Sequence, residues 1–244
     1  MSALRRRIAE AQVAVMFLTR LPAGPLPDKV PTIAQAAWAF PLAGLLVGAI
    51  SGAVFVAMAS VLPGLPAALL ALATSAIVTG ALHEDGLADL ADGFGGGQDK
   101  AAKLDIMRDS RIGSYGVVAL ILTLALTGSA IAEAGSFLLF LVIGTASRTA
   151  MVIALALMPP ARDNGLGQAA ALKRGATVPL ALLIAVTTAA LAGSLLLLIP
   201  IALITFAIAR LAMRQIGGQT GDVMGAIQKL GECGAWLTAA ALIG

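Results

Sequence analysis

Long apolar runs alternate with short polar joints along the whole chain, and most charged positions lie in the joints. A helix crosses the hydrocarbon core of a bilayer with about 20 apolar residues. Runs suited to that task fall at 36–62, 65–83, 117–134, 137–158, 177–199, 200–214 and 222–243, and each predicts a spanning helix. Prolines punctuate them. Pro41 predicts a kink in the first, Pro63 and Pro66 part the first from the second, and Pro200 parts the fifth from the sixth. The runs are rich in Ala and Leu and do not alternate with period two, so helices rather than a closed barrel must satisfy the backbone in lipid. The apolar stretch 8–19 is shorter and follows Arg5, Arg6 and Arg7. Arg20, Leu21 and Pro22 come after it instead of a small-residue cleavage site, so it predicts an interfacial or re-entrant helix rather than a signal peptide. The expected fold is all-α: a polytopic membrane helix bundle of six or seven transmembrane helices, one membrane-embedded domain over 1–244, with an acidic helix–loop–helix segment on its cytoplasmic side.

Composition agrees with this pattern. Hydrophobic residues make up 59% of the 244 and charged residues 12%, about half the soluble share of ~25%. A soluble core of this size could not hide so much apolar surface, which excludes an ordinary soluble enzyme as well as disordered and collagenous chains. The one cysteine, Cys233, cannot form an internal disulfide and is expected to be a small buried thiol. With the N-terminus in the cytoplasm, Arg5–Arg7, Arg20, Lys29, Lys100, Lys103, Arg108, Arg111, Arg162, Lys173, Arg174 and Arg214 all fall inside, and the outer loops near 63, 135 and 200 hold no Lys or Arg. The net charge of +3 therefore reports topology and gives no reason to expect a nucleic-acid partner. Trp38 and Trp236 are expected to anchor the membrane interface.

The chemistry concentrates in one joint. Of 13 acidic residues, seven lie between 84 and 109: Glu84, Asp85, Asp89, Asp92, Asp99, Asp105 and Asp109. Asp85, Asp89 and Asp92 are spaced i, i+4, i+7 and share one helix face. Asp105 and Asp109 are spaced i, i+4 on a second predicted helix beyond Gly95–Gly97. Like charges at i, i+4 destabilise a helix by a few tenths of a kcal/mol, so the face asks for a cation, and hard oxygen ligands favour Mg²⁺, Mn²⁺ or Ca²⁺ over zinc. Lys103, Arg108 and Arg111 lie nearby as phosphate-binding cations, with Ser110 as a hydrogen-bonding candidate, and Gly86 and Gly93 offer close approach. Together they point to metal-dependent phosphoryl transfer. The alternative is a solvated loop whose acids pair with its own bases, Asp99 being plain surface. His83, the only histidine, is open to reading as a general base, a metal ligand or a phosphate donor, or as an interfacial histidine bonded to backbone. Arg148 lies in mid-span, where a charge faces a bundle interior or polar cavity. Asp222 either caps the last helix or completes the site.

The motif HEDGLADLADG at 83–93, continued by LDIMRDSRIGSYG at 104–116, resembles the cobalamin synthase family, the adenosylcobinamide-GDP ribazoletransferases. FLTRLP at 17–22, FPLAGLLVG at 40–48, GGQTGDVMGA at 217–226 and, more weakly, ARDNGLG at 161–167 resemble the same family. The resemblance implies an enzyme of the bacterial cytoplasmic (inner) membrane, among lipid, with its site facing the cytoplasm, and it leaves room for a homo-oligomer. The 3'-hydroxyl of α-ribazole, or of its 5'-phosphate, attacks the corrinoid-side phosphorus of adenosylcobinamide-GDP. GMP leaves, and adenosylcobalamin or its 5'-phosphate forms. The cofactor implied is Mg²⁺, held by Asp85, Asp89, Asp92 and Asp109. Lys103, Arg108 and Arg111 then contact phosphate, with Ser110 beside them, and Arg20, Arg148 and Asp222 bind substrate. A carboxylate or His83 takes the hydroxyl proton. DxxDG at 89–93 with DxxxD at 105–109 also resembles the CDP-alcohol phosphotransferases. The Ala-Arg usual there after the glycine is replaced by Gly96-Gly97, so that likeness is one of mechanism. A cation transporter, whose acids should lie at mid-membrane depth, is the non-enzyme alternative.

Overall fold

A computed structural model describes residues 2–162 and 177–243. Lys173 and Arg174, and all of the 161–167 motif beyond Arg162, lie outside the described residues. The apolar runs fold as helices. The first continuous stretch, Ile33–Ala59, comprises α2 (Ile33–Ala36), a 3₁₀ turn and α3 (Phe40–Ala59). Thr32 opens it with a capping box: its hydroxyl accepts the Gln35 N–H, and the Gln35 side chain accepts the Thr32 N–H. Pro41 sits in the first turn of α3, where its missing N–H removes no helical bond; the expected kink is instead the 3₁₀ turn ahead of it. Preceding these, α1 (Ala3–Leu18) packs on α2 and α3. Its buried Glu10 accepts hydrogen bonds from Arg6, Arg7 and the Trp38 indole.

The run expected to be one straight span over 65–83 is broken. Helix α4 (Gly64–Thr79) ends at Gly80, whose φ of +66° is left-handed, and Ala81 is left-handed too at φ +56°. The next helix, α5 (Leu82–Gly96), therefore leaves at 91° to α4, and the acidic motif runs across the helix bundle instead of prolonging the span. A short α6 (Lys100–Ile106) follows, then α7 (Ser114–Ala134), α8 (Phe137–Leu157), α9 (Thr177–Leu191), α10 (Leu198–Gln215) and α11 (Gly221–Ile243). The break between α9 and α10 falls at Gly193, with φ +65°, earlier than the sequence predicted; Pro200 sits in the first turn of α10. Among the described residues, Ile33–Ala59, Ser114–Ala134, Phe137–Leu157 and Leu195–Gln215 are long and apolar enough to cross a membrane, and α4 with α5 makes a fifth if counted as one broken span. The chain is an all-α polytopic membrane protein.

Small residues set the packing. Helices α3 and α8 run backbone to backbone at Gly44 and Gly144, where a Cβ on either glycine would strike the other's carbonyl oxygen. At the centre stands α11, packed on α5, α7, α8 and α10. It carries Lys229 and Glu232, both buried, and so is an interior helix. Trp236 on α11 is fully buried with its ring edge-on to Phe140 at 4.8 Å. It is a core residue, not the interface anchor predicted. Cys233 is buried, as expected.

Candidate active site

Helix α5 crosses α11 at two glycines. A Cβ on Gly86 would lie 3.1 Å from the Asp222 Cα and 3.2 Å from the Gly225 Cα, so a side chain at Gly86 would push the two backbones apart by a few tenths of an ångström. This approach of backbones sets the carboxylates of HEDG and GGQTGD side by side. A second tie fixes the start of α11: Ala161 N–H donates to Gln219 O at 2.9 Å and Gln219 N–H to Pro159 O at 2.8 Å. The cap that the sequence offered to Asp222 is taken by Thr220, whose Oγ1 accepts the Val223 N–H at 3.3 Å and donates to Asp222 Oδ2 at 3.1 Å. Asp222 thus joins the α5 face.

Electrostatics record the result. Asp89 is pushed up to about 7, first by burial, then by Asp85, Asp222 and Asp92, with Arg162 opposing. Three like charges acting on a half-buried fourth form a cluster short of positive charge. Arg162 is the cation nearest in effect. It feels Asp222, Asp105 and Asp89, its Nη2 donates to Leu104 O at 2.9 Å, and its buried Nε has no hydrogen-bond partner. The sequence had counted Arg162 only as a topology residue; its place in the weak 161–167 motif was the available signal.

Other predicted members are employed elsewhere. Both Asp92 oxygens accept backbone N–H groups at the start of α7, from Gly113 at 2.7 Å and Gly116 at 2.9 Å. A Cβ at either glycine would collide with that carboxylate. The structure therefore assigns Asp92 to capping α7. Asp109 lies beyond the end of α6 and is gripped by Arg111, whose Nη2 donates to Oδ2 at 2.6 Å; this pair holds Asp109 at about 2. Asp99 is exposed, as expected, and caps α6 by accepting the Ala102 N–H at 2.9 Å. Buried Lys103 donates from Nζ to Gln98 O at 3.2 Å, closing the Gly97 turn. Arg108 and Ser110 are exposed beside Arg111. Arg20, also exposed, lies with its guanidinium against Gly80 at the α4–α5 bend, and its backbone N–H donates to Val78 O.

Behind the carboxylates is a cavity of about 160 Å³ that Asp85, Asp222, His83 and Gln219 line on the polar side. His83 is fully buried, and its Nε2 has no hydrogen-bond partner. Arg148 belongs to a separate buried network. Lys229 Nζ meets Glu84 at 2.8 Å and Glu232 at 3.5 Å. Gln228 Nε2 donates to Glu232 at 2.7 Å and to Ser147 Oγ at 3.2 Å, which also accepts from Arg148. Two cations and two carboxylates balance there, joining α5, α8 and α11. Nothing along the chain pairs Lys229 with Glu84, since 145 positions part them.

Among the described residues, no three His, Cys, Asp or Glu side chains are drawn together closely enough to form a complete metal cage. Mg²⁺ seldom uses such cages; it binds one or two carboxylates, waters and substrate phosphates. The donor set fits that habit: hard, mutually repelling oxygens on two helices.

Comparison with known proteins bears on the same residues. The model of the family "Cobalamin-5-phosphate synthase" matches residues 10–240. The chain belongs to the cobalamin-5-phosphate synthase family. A curated relative from Bradyrhizobium diazoefficiens, named adenosylcobinamide-GDP ribazoletransferase, is 47% identical across 98% of this chain and 95% of its own. Relatives of the same name from Mesorhizobium japonicum and Azorhizobium caulinodans are each 42% identical, covering 96% and 93% of this chain and 94% and 93% of theirs. No solved structure matches. For this family member, two of the sequence motifs that carried the resemblance, 83–93 and 217–226, meet at the α5–α11 crossing.

Proposed function

We propose that this protein is an adenosylcobinamide-GDP ribazoletransferase whose phosphoryl transfer takes place at the α5–α11 carboxylates. One observation carries the reading. Asp85 and Asp89 from one family motif and Asp222 from another converge on a single negatively charged site, at the mouth of a cavity, in a chain whose relatives bear that name. Asp85, Asp89 and Asp222 are the residues that would hold Mg²⁺, which when bound would neutralise diphosphate charge and stabilise the departing GMP. The 3'-hydroxyl of the ribazole attacks the phosphorus on the corrinoid side, and its proton passes to a carboxylate of this cluster. Arg162 faces the same carboxylates and is placed to take phosphate oxygens. Arg20 stands at one end of α5 and Arg108 and Arg111 near the other, flanking the diphosphate. The distribution of basic residues supports a cytoplasmic orientation for this end of the bundle, and the relatives' name supports a bacterial inner membrane as its setting.

The test is a substrate panel on detergent-purified, lipid-supplemented protein. GMP release is expected from adenosylcobinamide-GDP only when α-ribazole or its 5'-phosphate is present. Turnover of CDP-diacylglycerol with an alcohol, and none of the corrinoid, would overturn the assignment.

A further inference from the structure

Helices α9 and α10 form a hairpin around the left-handed Gly193, yet they do not pack along one another. Each packs on α8 instead. The two arms stand apart, and α8 floors a cleft of about 290 Å³ between them. Ala150 and Leu157 of α8, Leu182 and Val186 of α9, and Ala202 and Phe206 of α10 line it. Two hydroxyls lie in its walls, and both are spent on backbone: Thr149 Oγ1 donates to Thr145 O at 3.1 Å, and Thr205 Oγ1 to Ile201 O at 2.6 Å. A polar ligand would lose its hydrogen bonds here. The lining of α10 runs from Leu198 to Ala209, about 17 Å of helix at a rise of ~1.5 Å per residue. A helix of that length, ~10 Å across, fills on the order of 1,000 Å³ and cannot enter. Scaled from a ~150 Å³ cavity that takes up benzene, the cleft holds roughly twelve carbons, which over this length is the shape of one unbranched hydrocarbon chain.

The same ridge of α10 ends in charge. Leu198, Ala202 and Phe206 line the cleft, and their i+4 spacing continues to Arg210 and Arg214. Both arginines are exposed, and among the described residues neither joins an ion pair. They stand at the end of α10 that the pattern of basic residues assigns to the cytoplasm, the side on which anionic headgroups attract arginine. We infer that the cleft between α9 and α10 seats one acyl chain of an anionic phospholipid whose phosphate is held by Arg210 and Arg214. The apolar wall alone selects no lipid, because bulk tails are as apolar as Leu. Selection comes from the two arginines, and the cleft fixes the headgroup beside them. This site shares no lining residue with the cavity behind the carboxylates, and it does not depend on the transferase reading.

Titration of the detergent-purified full chain with phosphatidylglycerol, read by native mass spectrometry, tests this directly. One lipid should bind saturably, and phosphatidylcholine with the same chains should bind at least tenfold more weakly. An arginine near an anionic headgroup is worth about fivefold in affinity, so Arg210→Gln with Arg214→Gln should weaken phosphatidylglycerol roughly 25-fold. Ala202 is exposed in the cleft wall. Ala202→Trp fills the cleft, leaves both arginines in place and should weaken binding at least tenfold. Equal binding of the two lipids would overturn the inference. So would phosphatidylglycerol binding that needs the arginines but survives Ala202→Trp, which would make the site a charged surface without a seated chain. A mass of two copies that Ala202→Trp splits would give the cleft to a second chain and overturn it as well. Should Ala202→Trp fail to fold, phosphatidylglycerol with a photoreactive diazirine in its chain decides on the native protein. Labelling is expected in α8, α9 and α10 at the cleft, and labelling confined to other helices would refute the site.

Discussion

Asp92 separates two explanations of the acidic motif that the sequence alone could not part. As a cation ligand it would matter to catalysis and little to stability; as the cap of α7 it should do the reverse. Its carboxylate takes two backbone N–H groups, at 2.7 and 2.9 Å, in a buried setting. Hydrogen bonds to a charged group contribute about 1.5–3 kcal/mol each. Asn in this place keeps one neutral acceptor and turns an NH₂ toward the second donor, so one bond is lost and the other weakened. Asp92→Asn should therefore cost about 2–4 kcal/mol, which for a chain of this size lowers Tm by about 4–16 °C. The single buried cysteine, Cys233, makes the assay simple: a thiol-reactive dye reports its exposure as the protein is heated in detergent. The Mg²⁺ concentration for half-maximal activity should stay within twofold. An unchanged Tm together with a tenfold rise in that concentration would refute the capping role and return Asp92 to the metal.

Three further outcomes follow from the same geometry. Asp89 titrates near 7 without a cation, because burial and its carboxylate neighbours raise it. Protons therefore compete with Mg²⁺ below that pH, and the half-saturating Mg²⁺ concentration should be about tenfold higher at pH 6 than at pH 8; a flat dependence would speak against Asp89 as a ligand. Lys229→Met leaves Glu84 and Glu232 with too little positive charge and should destabilise by about 3–5 kcal/mol, while the pair Lys229→Met with Glu84→Gln recovers much of that loss, as read by the same thermal assay. Gly86→Val sets a branched side chain against α11 backbone atoms that are already 3.1–3.2 Å from its Cβ position, and by moving α5 off α11 should lower kcat more than tenfold in protein that still folds.

The helices were legible in the sequence because a long apolar run has few other options in lipid. Their interruptions were harder to read. The 91° turn between α4 and α5 depends on two successive left-handed residues, Gly80 and Ala81, and the second is a residue type that gives no warning of it. Periodicity correctly put Asp85, Asp89 and Asp92 on one face but could not say what that face meets. Asp92 meets the open N-terminus of α7, whereas Asp85 and Asp89 meet Asp222, 137 and 133 positions away. The partners of Arg148 were hidden for the same reason: Glu84, Lys229 and Glu232 come together only through tertiary packing. Asp109 looked like a metal ligand by motif, yet Arg111, two positions on in an exposed turn, holds its carboxylate.

The most direct test of the site is GMP release measured across Mg²⁺ concentration in the native protein and in Asp89→Asn and Asp222→Asn, with both substrates saturating. Release that requires the metal, is abolished by EDTA, and falls at least a hundredfold in each variant is the expected result, because the proposed cation site draws ligands from both α5 and α11. Release that persists in EDTA, or that survives Asp222→Asn while Asp89→Asn abolishes it, would contradict a site built across the two helices.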